Sequence, residues 1–138
     1  MTVKTKYLEF KTRGDCEIVD ITPDVAEQLS STGLDNGTVT VFCPGATGGI
    51  TTVEYEPGLV QDIPELMDKL IPAGQYHHDM TWHDGNGHSH LRATLLGPSL
   101  VVPFVDKQLT LGTWQQIIFI DFDNKPHRRK LVLQFMGE

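Results

Sequence analysis

What the chain lacks narrows what it can be. No apolar run approaches the ~20 residues needed to cross a bilayer. The Met-Thr-Val-Lys start also lacks the apolar stretch of a secretory signal, so a cytoplasmic location and no membrane partner are the expectation. Positive charge is scarce: eleven Lys and Arg against 18 Asp and Glu give a net charge of −7. That balance argues against nucleic acid as a partner and leaves any anionic ligand to a local pocket. Only Cys16 and Cys43 carry thiols, and no Cys-x-x-Cys pair exists. A thiolate zinc knuckle and a dithiol redox motif are therefore excluded, and both cysteines, set in strand-like apolar runs, read as buried and reduced. Repeats and low-complexity segments are absent. At 138 residues, 39% hydrophobic and 21% charged, the chain has the size and balance of one soluble domain spanning 1–138.

The residues that are present alternate or cluster in recognisable ways. Residues 3–11 alternate as an edge or oligomer-contacting strand, and Cys16 to Ile21 forms a second one. Thr22-Pro23-Asp24 supplies a cap, a first-turn proline and an acidic residue to open a helix that Gly33 stops. Strands at Thr38 to Cys43 and Ile50 to Glu56 bracket Pro44-Gly45-Ala46-Thr47-Gly48-Gly49. That loop's backbone N–H groups suit either an anion or simply a tight turn. A second helix covers about Leu59 to Leu70, with Pro64 placing its regular start at Ile63. His90 to Leu96, Ser99 to Val105, Gln108 to Leu111, Trp114 to Phe122 and Arg129 to Met136 then read as strands. The fold class is α+β: a single domain of mixed or antiparallel β-sheets with about two helices and a β-rich C-terminal meander.

Chemistry concentrates between Tyr76 and Leu91. Five of the six histidines fall there (His77, His78, His83, His88 and His90), with Asp79, Asp84 and Asn86 among them. Histidine titrates near neutrality and is the commonest metal ligand. On a strand, His88, His90, Arg92 and Thr94 share one face, and a third imidazole from the preceding loop would complete a zinc site. His90 is the strongest single candidate and His77 the bystander. Glu54 and Glu56 form a same-face pair of catalytic, metal-binding or merely solvated carboxylates. His127, amid Arg128, Arg129 and Lys130, reads as a solvated face.

Tyr76-x-His78, Asn86-Gly87-His88-Ser89-His90-Leu91, Gly97 and Leu109-Thr110-Leu111-Gly112-Thr113-Trp114-Gln115 together resemble the YjbQ family, described as secondary thiamine-phosphate synthases. The resemblance runs from about Val39 to the C-terminus. It implies a small homotrimeric α+β enzyme, a transferase that joins a pyrimidine methyl diphosphate to a thiazole phosphate. It also matches Thr47 and Glu54 to the family's loop threonine and strand glutamate, beside a pocket for a metal ion or phosphate-like anion. The roles implied are metal contact for His78, His88 and His90 with zinc or magnesium, and catalysis for His90 and Glu54. Contact with a phosphorylated small molecule falls to Thr47, Asn86, Arg92 and Gln115. Two departures stand out. Gly45 occupies a position where many members have histidine, and His88 one where an acidic residue is common. His83 or His88 is then the natural substitute, with Asp84 beside His83 on a loop longer than usual. Trp114 is expected to plug a core or a subunit contact. A trimeric module that binds without turnover is the alternative reading.

Overall fold

A computed structural model describes all of residues 1–138, in the order β1 (Thr2–Thr12), β2 (Glu17–Asp20), α1 (Thr22–Thr32), β3 (Gly37–Phe42), β4 (Gly48–Val53), α2 (Pro57–Leu70), α3 (His77–Trp82), α4 (Gly87–Leu96), β5 (Ser99–Val105), β6 (Gln108–Leu109), β7 (Gln116–Asp121) and β8 (His127–Gly137). A five-stranded sheet has the order β1-β8-β3-β5-β6, and a three-stranded sheet the order β2-β7-β4. All the pairings are antiparallel. The α+β class is as expected, but with four helices rather than two.

The run Ile117-Ile118-Phe119-Ile120 explains how the layers stack. Its residues are all buried, as befits a central strand covered on both faces. Ile117 and Phe119 join Val39, Val41, Val102, Phe104, Leu131, Leu133 and Phe135 of the large sheet, with Val25 and Leu29 of α1, in the main core. Ile118 and Ile120 point the other way, to Cys16, Met67 of α2 and Ala93 of α4. The small sheet is thus the middle layer, between the large sheet on one side and helices α2 and α4 on the other.

The segment read as the strand His90 to Leu96 is instead α4. Alternation across this stretch is real, but so is a helical spacing that puts Ser89 and Ala93 on the buried side and leaves Leu91 and Leu95 exposed. The helical pattern prevails: the N–H of Gly97 closes the last turn on the carbonyl of Ala93 at 2.9 Å, and Ala93 packs in the helix-side core. The loop carrying His77 and His78 likewise winds into α3. Its first turn is fixed by Asp79, which accepts from the N–H of Tyr76 and of Gly87, both at 3.0 Å. One carboxylate therefore ties together the starts of α3 and α4 and falls below the usual range, chiefly through the Tyr76 N–H.

Other boundaries moved for identifiable reasons. Helix α2 starts at Pro57, because Glu56 caps it by accepting from the N–H of Gly58 and Leu59. Pro64 is accommodated inside it. Strand β4 ends at Val53, so Glu54 and Glu56 are no strand pair. Gly33 closes α1 in the left-handed conformation, as expected, while Thr22 accepts no cap bond and the capping position is Ile21. The Thr22 hydroxyl instead accepts from the N–H of Ile117 at 2.7 Å. Trp114 fills no core within the chain and is 73% exposed.

Candidate functional site

Helix α4 and the glycine-rich loop before β4 face each other across a cleft of about 320 Å³, lined by Gly45, Ala46, Gly48, His90, Thr94 and Pro98 among others. His90 and Thr94 are four residues apart on one helix face. Behind His90 stands His78 of α3, its ring centroid 4.3 Å away with the planes tilted by 45°. Asp84 stands 3.5 Å from the Nε2 of His78. That nitrogen is buried and has no hydrogen-bond partner. The cleft therefore presents one imidazole backed by a second, with a carboxylate behind both.

The change from strand to helix separates the residues grouped by alternation. Four positions along α4, His88 pairs with Arg92 rather than His90, and both are buried. Burial first, and the Arg92 charge second, push the His88 imidazole below its usual value. Its Nδ1 is sealed in without a partner. Arg92 donates Nε to the carbonyl of Ile71 at 2.9 Å and Nη2 to Asp68 at 3.1 Å, fastening the end of α2 to α4. Its guanidinium is thus engaged away from the cleft. Glu54 is exposed beyond the end of β4 and outside the cleft. Gln115 braces its own turn, accepting from the N–H of Gly112 at 3.1 Å and donating to Thr52 at 3.3 Å, in a different hollow. His83, in the left-handed conformation, ends α3 and borders a hollow with Tyr76 and Met80.

Thr47 and Asn86 lead to a polar network that sequence reasoning missed. Asp121 binds Arg129 through two bonds, Nε at 2.8 Å and Nη2 at 2.7 Å. It also accepts from the hydroxyl of Thr12. Nη2 further donates to the Thr47 hydroxyl at 2.9 Å. Asp123 accepts from Asn86 Nδ2 and stands against the Nε2 of His127, both at 3.1 Å. Burial raises the Asp123 carboxyl, but bonds from Asn86, Thr47 and the Lys125 N–H, with His127 alongside, outweigh it and hold the group below the usual range. Arg129 is buried and so does not belong to a solvated basic face, whereas His127 is exposed, as expected, with its Nε2 beside Asp123. The available signal was Asp-x-Asp ending a wholly apolar strand, opposite a last strand whose His127, Arg129 and Leu131 share the inner face by the period of two.

No group of three His, Cys, Asp or Glu side chains within the chain is placed to hold a metal ion. His78 and His90 alone are adjacent, with His88 turned into the helix-side core. The histidines of one chain thus do not fit a three-ligand centre. Cys16 lines a hollow of about 610 Å³, where burial pushes its thiol up to about 11 and so disfavours the thiolate at neutral pH.

A family model described as "UPF0047 protein YjbQ-like" matches residues 6–138. A UPF0047 protein of Archaeoglobus fulgidus is 44% identical over 126 residues, covering 91% of this chain and 96% of the relative. YugU of Bacillus subtilis, also a UPF0047 protein, is 34% identical over 134 residues, covering 96% and 98%. Among solved structures, a hypothetical protein of Aeropyrum pernix superposes with a TM-score of 0.91 at 38% identity, covering 98% of this chain and 99% of that one. A YbjQ-like protein of unknown function from Sulfolobus solfataricus gives 0.89 at 30%, covering 99% and 100%. No helix of the chain is long and apolar enough to cross a membrane.

Proposed function

Since the chain belongs to the YjbQ/UPF0047 family, we propose that it is a transferase acting on a phosphorylated small molecule, with an activity resembling secondary thiamine-phosphate synthesis. The observation that carries this reading is His90, backed by His78 at 4.3 Å, facing the loop of Gly45, Ala46 and Gly48. In such a reaction the thiazole nitrogen attacks the pyrimidine methylene. A C–N bond forms, the C–O bond breaks, and its electron pair leaves with diphosphate. Charge builds on the departing oxygens, and preorganised donors aimed there lower the barrier. His90, the Thr94 hydroxyl and the loop backbone are donors lining the cleft. His78 positions His90, and Asp84 positions His78.

The reading includes a homotrimer. What supports assembly is the outer face of the large sheet, where Val3, Tyr7, Phe42, Val101 and Met136 are 40–59% exposed. An antiparallel sheet with one wet face usually alternates to polar residues there.

The test is a purified, metal-assayed sample given the pyrimidine methyl diphosphate and the thiazole phosphate. Thiamine phosphate should form, and His90→Ala should lower the rate by about 10²-fold or more. No product, or an unchanged His90→Ala, overturns the proposal. The positions of Glu54 and Arg92 outside the cleft favour a second reading, a trimeric module that binds a phosphorylated metabolite without turnover. A ligand-dependent rise in melting temperature with no product would select it.

A further inference from the structure

Arg129 is not fully used by the fold. Its side chain is nine-tenths buried, and Asp121 and Thr47 take Nε and Nη2. Nη1 donates to nothing in the chain. The buried polar atoms without partners are His78 Nε2, His88 Nδ1, Ser89 Oγ and Asn124 Oδ1, so Nη1 is not sealed in. Its direction is given by Gly45: a Cβ there would stand 3.5 Å from Nη1, and apart from Gly45 and its chain neighbours no other atom lies within 4 Å of that point. The exposed glycine loop thus leaves open the space in front of a fixed guanidinium nitrogen.

We propose that Arg129 Nη1, together with the backbone of the Gly45 loop, forms an oxyanion site that takes a phosphate or diphosphate group without a metal ion. This rests on the reading of the ligand as phosphorylated and names the side chain that holds its charged end. The geometry suits the task. Asp121 grips one edge of the planar guanidinium, which fixes its orientation and leaves an end nitrogen free for an anion. Gly45, at a φ of +135°, holds a backbone conformation that side-chain-bearing residues rarely adopt, so a substitution there would shift the loop that faces Nη1. Two carboxylates, Asp121 and Asp123, adjoin the one guanidinium, with the imidazole of His127 beside Asp123. Binding is therefore modest in strength and depends on directed hydrogen bonds more than on net positive charge.

The experiment is a titration of the full-length, chelator-treated, ¹⁵N-labelled protein with inorganic diphosphate and, in parallel, inorganic phosphate. The Arg129 side-chain signal and the amides of residues 45–48 are followed. Saturable shifts at both places are expected, weakened by salt and unchanged by chelator. Arg129→Lys should weaken binding about tenfold or more, the scale of one charge-assisted hydrogen bond. Gly45→Ala, at an exposed loop position, should weaken it as well, and it decides the matter if the lysine variant fails to fold. The proposal is overturned if the Arg129 signal does not move, if chelator abolishes binding, or if both variants bind as wild type. Diphosphate binding at Arg129 without synthase turnover keeps this inference and removes the enzymatic reading. Turnover with a silent Arg129 does the reverse.

Discussion

Asp121 closes on two nitrogens of Arg129 at 2.8 and 2.7 Å, joining the end of the central strand β7 to the last strand β8 inside the protein. Asp121 is fully buried and Arg129 nearly so. Burial works against the Arg129 charge, but the bonds and charge of Asp121 outweigh it and raise the group above its ordinary value. Removing one partner of such a pair leaves an uncompensated buried ion. Asp121→Ala should therefore cost about 3–5 kcal/mol in urea unfolding at pH 7. A loss below about 1 kcal/mol would mean the pair is solvated in a way the geometry denies.

The neighbouring Asp123 gives the fold an acid limit. Its carboxyl lies below the usual range in the folded chain, so the unfolded chain binds that proton more readily. The stabilisation is whole above about pH 4, where unfolded aspartates are ionised, and is lost as the pH falls through the lower folded value. Unfolding free energies measured from pH 6 to pH 2 should fall less steeply in Asp123→Asn than in wild type. Parallel curves would show that Asp123 carries no linkage.

How far the sequence revealed this is clearest at its two ends. Ser99 to Val105 reads as a strand and is one, because Val102 and Phe104 alternate inward. Gly33 reads as a helix stop and is one. His88 to Leu96 fits two periods at once, and only the packing of Ala93 between sheet and helix decides for the helix. That decision reshapes the candidate site, separating His88 and Arg92 from His90. The Asp121–Arg129 pair lay outside local reading altogether. Its partners lie on strands of different sheets and meet across the two layers, and Arg129, placed between two other cations in sequence, resembles a surface residue until the period of β8 is known.

His88 should make the protein sensitive to mild acid. Its imidazole is held below its ordinary value, first by burial and then by the Arg92 charge, against the opposing pull of Asp79, Asp15 and Asp68. Because the fold prefers the neutral ring, this contribution is complete above about pH 6.5 and declines as the pH falls toward the folded value. His88→Gln removes that dependence, so the gap between wild type and variant should shift in favour of the variant between pH 6.5 and pH 5. Melting temperatures across that range test it, and a constant gap would contradict the assignment.

Arg92 holds α2 to α4 through the carbonyl of Ile71 and the carboxylate of Asp68. The Ile71 bond is the more protected, since the Asp68 side chain is 74% exposed and its pairing is screened. Arg92→Met keeps the apolar stem but leaves the Ile71 carbonyl without this donor, at a cost of about 1–3 kcal/mol. Hydrogen exchange should quicken in the last turn of α2 ahead of the sheets. Uniform quickening throughout the chain would instead point to a general loss of packing.

The outer face of the large sheet sets up the last test, because its side chains lie in rows that strand register defines. Tyr7, Val132 and Phe42 form one row. Thr5, Gln134, Thr40 and Val101 form the next, and Val3, Met136, Thr38 and Pro103 the third. No charged residue lies within these three rows, and the Lys130 ammonium borders them, 4.4 Å from the Tyr7 ring centroid. A central patch of this kind gains roughly 25 cal/mol for each Å² of apolar surface withdrawn from water, whereas a carboxylate in its middle would have to be desolvated. Val101→Glu, on the exposed face of β5, should therefore shift the species seen by light scattering from the three-chain to the one-chain mass while leaving the circular dichroism of the fold intact. The mirror change Thr5→Glu, in the same row on β1, should do likewise if the whole sheet is covered, and should have little effect if only the β3–β5 side is. A wild-type chain that runs as a monomer at micromolar concentration would remove the trimer. The exposed apolar rows would then have to be explained by a different partner.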